Sequence, residues 1–196
     1  MALEISCSTR AYAGQIDCGD RCGWWTTSGR IVMAVADGLG HGADAAYAAE
    51  VAMASIGAGL ERPFPDIFSA CDVRLRDTRG VALAVAVVAL DSGQLTIASV
   101  GNIRTVLLTS VKDYRFGGSR GIVGGGYAQL TPIIRTLTGG DVLALFSDGV
   151  DEFSVLRETL NETAPIPNSP AAAVLKRWAR LDDDAAVLIY RHANRS

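Results

Sequence analysis

The sequence predicts an α+β layered sandwich in which helices cover mostly antiparallel sheets from the outside. Three observations carry that prediction. Residues 30–36, RIVMAVA, are a nearly continuous apolar run of strand length, and residues 43–60, ADAAYAAEVAMASIGAGL, follow after a turn with helix formers at helical length. From residue 81 the chain reads VALAVAVVALDSGQLTIASVGNIRTVLLTS, three β-rich runs joined by DSGQ and GN, and links that short connect antiparallel neighbours. The runs are apolar on both sides of the pleat, which requires cover on both faces, by another sheet and by helices.

The elements follow in order. After the strand at 30–36 and the helix at 43–60, residues 65–78, PDIFSACDVRLRDT, have proline near the start, apolar Ile67, Phe68, Val73 and Leu75, and Gly80 beyond the end, the marks of a second helix. The three β-rich runs from residue 81 are expected to form a meander. Residues 117–126, GGSRGIVGGG, are a glycine-dense loop, and further strands are expected at 128–137 and 141–146, turning at Thr138-Gly139-Gly140. A short helix is expected near 151–160. The stretch PIPNSP then ends in Ser169, an N-cap residue, and Pro170, which open a helix over 171–180; AAVLIYR at 185–191 is the last strand. No repeat or linker interrupts this order, so residues 1–196 are expected to form one domain.

Composition narrows the function. With 49% apolar and 20% charged residues the chain has the make-up of a globular protein. A formal charge of −3 provides no basic field for nucleic acid and no polybasic patch for an anionic membrane. The first residues, MALEISCSTRAYAG, lack a charged leader with an apolar core, and no apolar stretch reaches membrane-spanning length, so a cytoplasmic protein is expected. The four cysteines, Cys7, Cys18, Cys22 and Cys71, are expected to be free thiols, since a chain of this size needs no staples.

Chemistry concentrates at four acidic corners, each beside an apolar strand: Gly19-Asp20, Asp37 in DGLGHG (37–42), Ser147-Asp148-Gly149, and the triplet Asp182, Asp183 and Asp184. Singly, each has a bland reading: Asp-Gly is turn chemistry, Asp148 could cap a helix, and an acidic triplet is commonly a solvated loop. Together they suit a hard divalent cation, which takes oxygen from carboxylates, carbonyls and water. Glycine after aspartate leaves a carbonyl free to approach such an ion.

The order GD (19–20), DGLGHG (37–42), SVGNIRTVL (99–107), LFSDGV (145–150) and DDAAVLIY (183–190) resembles the PPM family of metal-dependent protein Ser/Thr phosphatases. Within it the chain is most similar to the small bacterial SpoIIE-type members, stand-alone stressosome phosphatases among them. The resemblance implies a four-layer αββα sandwich holding two divalent ions, Mn²⁺ or Mg²⁺, in a cleft between the sheets. By position, Asp37 would bridge both ions and Gly38 would lend its carbonyl oxygen. Asp20 would serve one ion, and Asp148 and Asp183 the other, with Asp184 in support; a shifted alignment of the triplet exchanges Asp183 and Asp184. The implied substrates are phosphoserine and phosphothreonine on stressosome scaffold proteins, and the enzyme is expected to act as a monomer. Two ions acidify water and neutralise phosphoryl charge, so no nucleophilic side chain is required.

The chain departs from the family where larger members carry a phosphate-gripping arginine before the first motif: residues 14–18 read GQIDC, and Arg10 and Arg21 are the nearest substitutes. His41 is either a general acid or a polar turn residue. Two other readings remain. Gly38-x-Gly40-x-x-Ala43 satisfies the dinucleotide-binding pattern between a strand and a helix, although Asp37 would set negative charge beside a pyrophosphate. A catalytically silent phosphoprotein-binding module of the same fold would have no need of all four acidic corners.

Overall fold

The computed structural model describes residues 4–151, 156–162 and 169–193. The chain opens with β1 (Glu4–Arg10) and β2 (Asp20–Thr26), two strands that no apolar run announces. Each lies at the edge of a sheet and is partly exposed, so neither needs the continuous hydrophobicity of a buried strand. β3 (Arg30–Gly38) runs two residues past the expected end, because Asp37 is still paired with Asp20 on one side and Ala82 on the other. α1 (Ala43–Gly57) ends three residues before the expected 60, and α2 (Phe64–Leu75) starts with proline in its first turn.

β4 (Val81–Ala89) and β5 (Gln94–Val100) form the expected hairpin across Gly93, whose φ of 71° suits the turn. The meander stops there. β6 (Arg104–Leu108) crosses to the other sheet and pairs with β7 (Asp113–Phe116). At the crossing, Gly101 has φ 85°, and a Cβ on it would lie 2.6 Å from that of Ala82. The glycine-dense segment is more ordered than a plain loop, since β8 (Gly121–Ile122) and β9 (Gly126–Tyr127) make a small hairpin. β10 (Ile133–Thr136) and β11 (Val142–Phe146) fall within the expected ranges.

The helix expected near 151–160 is α3 (Leu156–Glu162); residues 152–155, and most of the stretch PIPNSP, lie outside the described residues. Ser169 caps α4 (Pro170–Trp178) by accepting from the Ala172 amide at 3.3 Å, and β12 (Ala185–Arg191) closes the fold.

Among the described residues the two main sheets run β1-β12-β11-β6-β7 and β10-β5-β4-β3-β2, with every pairing antiparallel. Period-two alternation sorts the core. Ile31, Met33 and Val35 of β3 meet Leu143, Leu145 and Leu188 of the facing sheet, while Val32, Ala34 and Ala36 turn outward to Ala48, Ala52 and Phe68 of α1 and α2. On the far side, Phe146 and Val187 pack against Leu156 and Val174 of α3 and α4. The layers are therefore helix, sheet, sheet, helix, as the resemblance implies. Antiparallel pairing brings the end of one strand beside the start of the next, and four such junctions meet at one edge of the sandwich.

Candidate metal centre

Asp20 begins β2 and Asp37 stands next to last in β3, and the register makes them direct cross-strand partners. Two carboxylates set opposite one another in this way repel, and each favours the protonated form of the other. Asp20 is 2% exposed, and its Oδ2 is buried with no hydrogen-bond partner. Burial is the main cause that pushes Asp20 up to about 7; the charges of Asp184, Asp183 and Asp148 add to it, and a hydrogen bond with Ser147 opposes it. Asp37 is pushed up to about 9, by burial first and then by the charges of Asp20, Asp148 and Asp183.

The second pair comes from the other sheet. Phe146 and Val187 are partners, so the corner after β11 lies beside the corner before β12. Asp148 accepts from Asn102 Nδ2 at 2.8 Å, which fixes one of its oxygens. It does not cap α3, which starts eight residues later. The triplet divides three ways. Asp182 pairs with Arg180 at 3.1 Å at the surface; Asp183 lines the cleft, its pKa raised by burial and then by Asp148; Asp184, 4% exposed, accepts from the backbone amides of Tyr12 at 2.8 Å and Gly19 at 2.9 Å. Asp184 thus ties down the segment that delivers Asp20. Gly149 is required at the same junction, because a Cβ there would lie 1.8 Å from the Asp184 carbonyl oxygen.

Gly38 has a packing reason as well: a Cβ would fall 2.0 Å from the Ala45 carbonyl oxygen, so only glycine lets α1 approach β3 this closely. His41 lines the cleft with its ring 6.1 Å from that of Tyr12. The cleft has a volume of about 750 Å³; Asp37, Asp148 and Asp183 form one side, and Arg120 and Ile122 of the small hairpin form another. Neither arginine considered as a phosphate grip faces it. Arg10 donates to the Ala179 carbonyl at 3.3 Å, and Arg21 is held by Glu50 at 2.7 Å and by the carbonyls of Cys18 and Asp20.

Among the described residues, no three or more His, Cys, Asp or Glu side chains are placed together so that they alone could hold a metal ion. An Mg²⁺-type site does not need such a group, since such ions keep several waters and bind through one or two carboxylates. The donor set fits hard cations: carboxylates that raise one another's pKa and a buried, unpartnered Asp20 oxygen are an arrangement that positive charge relieves. Asn102 and Ser147 support this set and carry no signal in the sequence beyond their places in the third and fourth motifs. The dinucleotide reading fails on topology, because β3 runs antiparallel to both neighbours and opens no βαβ unit.

Comparison with known proteins agrees with the geometry. The family model Stage II sporulation protein E (SpoIIE) matches residues 27–193. No curated protein matches the chain. A solved structure described as "The bacterial stressosome: a modular system that has been adapted to control secondary messenger signaling" is 34% identical, with 97% of this chain and 100% of that one covered and a TM-score of 0.89. RsbX in complex with magnesium is 19% identical over 97% and 100% of the two chains, with a TM-score of 0.82. The catalytic domain of the serine threonine protein phosphatase PstP in complex with two manganese ions is 16% identical over 98% and 99%, with a TM-score of 0.72.

Proposed function

The chain belongs to the SpoIIE family of PPM-fold phosphatases, and from that premise we propose that it is a metal-dependent protein serine/threonine phosphatase acting on phosphorylated stressosome scaffold proteins. One observation carries the proposal: the strand register sets Asp20 against Asp37, beside Asp148 and Asp183, and leaves a buried Asp20 oxygen without a partner. Asp37, which feels the charges of Asp20, Asp148 and Asp183, would serve both ions, with the carbonyl of the adjacent Gly38; Asp20 would complete one, and Asp148 with Asp183 the other. When bound, two divalent ions supply an acidified water and neutralise the charge on phosphoryl oxygens.

The remaining work falls to the chain itself. Asn102 holds one Asp148 oxygen in place, Asp184 anchors the 12–19 segment through two backbone amides, and Ser147 Oγ ties its corner to β12 by accepting from the Ala186 amide at 2.9 Å. Such supporting bonds orient carboxylates that would otherwise repel one another apart. The stressosome substrate is supported by the relative 34% identical over the full length. RsbX in complex with magnesium, similar at 19% identity, shares the fold. A cytoplasmic location is part of the same proposal and rests on the family likeness.

The test is phosphate release from a phosphoserine peptide, with a phosphotyrosine peptide for comparison, in Mn²⁺, Mg²⁺ or EDTA. Release that needs metal, favours phosphoserine and drops at least about 1000-fold in Asp37→Ala and Asp148→Ala is expected for a metal-activated nucleophile. Release unaffected by EDTA would overturn the proposal.

A further inference from the structure

We propose that Arg120, carried on the small β8–β9 hairpin, grips the phosphate of the phosphoserine or phosphothreonine side chain in the cleft. The inference rests on the phosphatase reading and supplies the phosphate-binding cation which the segment before Asp20 lacks.

A phosphomonoester dianion entering a cleft walled by Asp37, Asp148 and Asp183 needs positive charge from the protein as well as from metal ions, because every nearby acidic side chain repels it. The arginines on the flanking segments are already committed. Arg79 pairs with Asp44 at 2.6 Å, Arg180 with Asp182 at 3.1 Å, and Arg21 with Glu50 at 2.7 Å. Arg120 alone among the arginines lines the cleft, and its guanidinium has no hydrogen-bond or ion-pair partner among the described residues. A guanidinium presents a planar fork of donors that matches phosphate oxygens two at a time.

The backbone holds this side chain at a defined place although it is exposed. Ser119 is bonded on both sides to the end of β5, its amide donating to the Ser99 carbonyl at 2.8 Å and its carbonyl accepting from the Gly101 amide at 2.9 Å. The Arg120 carbonyl accepts from the Ala128 amide at 2.8 Å. Next in sequence, Gly121 has φ 119°, and a Cβ there would lie 2.4 Å from the Gly126 carbonyl oxygen, so the hairpin closes only with glycine at that position. The glycines of this segment therefore build a short, closely packed and hydrogen-bonded platform, and Arg120 is the one charged side chain in GGSRGIVGGG.

The experiment uses the full chain loaded with Mn²⁺ and compares wild type, Arg120→Ala and Arg120→Lys. Inorganic phosphate is titrated calorimetrically, Mn²⁺ affinity is measured separately, and KM and kcat are read on a phosphoserine peptide. The proposal expects Arg120→Ala to weaken phosphate binding and raise KM by about 10- to 100-fold, as loss of a charge-assisted bidentate contact should, with Mn²⁺ affinity unchanged. Arg120→Lys should recover only part, because an ammonium keeps the charge and loses the fork. Phosphate affinity within about twofold of wild type in Arg120→Ala would overturn the proposal, including the case where peptide binding alone weakens, which would assign Arg120 to the flanking peptide. A wild type that binds phosphate through Arg120 but releases none from the peptide would sink the phosphatase reading and leave this one standing.

Discussion

Asp37 pairs with Asp20 across two strands, and the burial of both carboxylates, with the charges around them, makes the metal-free protein sensitive to pH in an unusual direction. An ordinary aspartate titrates near 3.8, whereas Asp37 is raised to about 9 and Asp20 to about 7. The folded chain therefore keeps protons that the unfolded chain releases, and stability present at pH 4 is lost as pH climbs towards 9. In EDTA the melting temperature should fall between pH 5 and pH 8. Asp37→Asn should flatten that slope and raise the value at pH 8 by about 2–4 °C, as expected for a change of ~1 kcal/mol in a chain of this size. A melting temperature that rises with pH in EDTA would contradict the account. The triplet offers a second test at this scale. Asp184→Asn replaces an acceptor with a donor facing a backbone amide and should cost about 1–3 kcal/mol in thermal or urea unfolding, whereas Asp183→Asn should weaken Mn²⁺ binding and leave the metal-free protein at least as stable. The sequence leaves the roles of Asp183 and Asp184 exchangeable because nothing local separates neighbouring aspartates. Only the amides of Tyr12 and Gly19, about 165 residues away, distinguish them.

Strands buried on both faces were legible as apolar runs: β3, β4, β11 and β12 appear where RIVMAVA, VALAVAVVA, VLALF and AAVLIYR predict them. Edge strands β1 and β2 were not, since half-exposed positions need no apolar pattern, and β2 is the strand that delivers Asp20. The Gly101-Asn102 link reads as a hairpin turn and is a crossover between sheets; short turn residues give local geometry and do not say which sheet the next strand joins. In α2, Val73 is 59% exposed, and Cys71, two residues earlier, completes the buried face of Ile67, Phe68 and Leu75 instead. Close approach between elements yields a further prediction. Gly149→Ala pushes a methyl into the Asp184 backbone, which cannot yield without parting the two metal-side loops, and should cost about 3 kcal/mol, roughly 10 °C in melting temperature. Gly29→Ala, with no atom within 4 Å of the added methyl, should change the melting temperature by no more than about 2 °C. Equal effects from both would show that the tight junction does not constrain the site.

Across the whole molecule, two antiparallel sheets stacked face to face bring strand ends from both to one edge, and that is where the carboxylates collect. The scaffold tolerates their repulsion because the inner core, the two helix layers and the tethers of Asp148 and Asp184 hold the strand ends in place. The acidic corners were visible in the sequence as short motifs, and their convergence followed from the resemblance to a family; the register between β2 and β3 supplies the physical cause. Arg120 stayed hidden because a lone arginine among glycines has no pattern, and only the hairpin's place on the cleft gives it meaning. The central claim is that these carboxylates converge to share metal ions, and calorimetric titration of Mn²⁺ into the EDTA-treated, dialysed protein at pH 7.5 tests it most directly. The account predicts about two ions per chain for wild type and loss of both in Asp37→Asn with the fold retained. Binding of equal stoichiometry and affinity in that variant would contradict it.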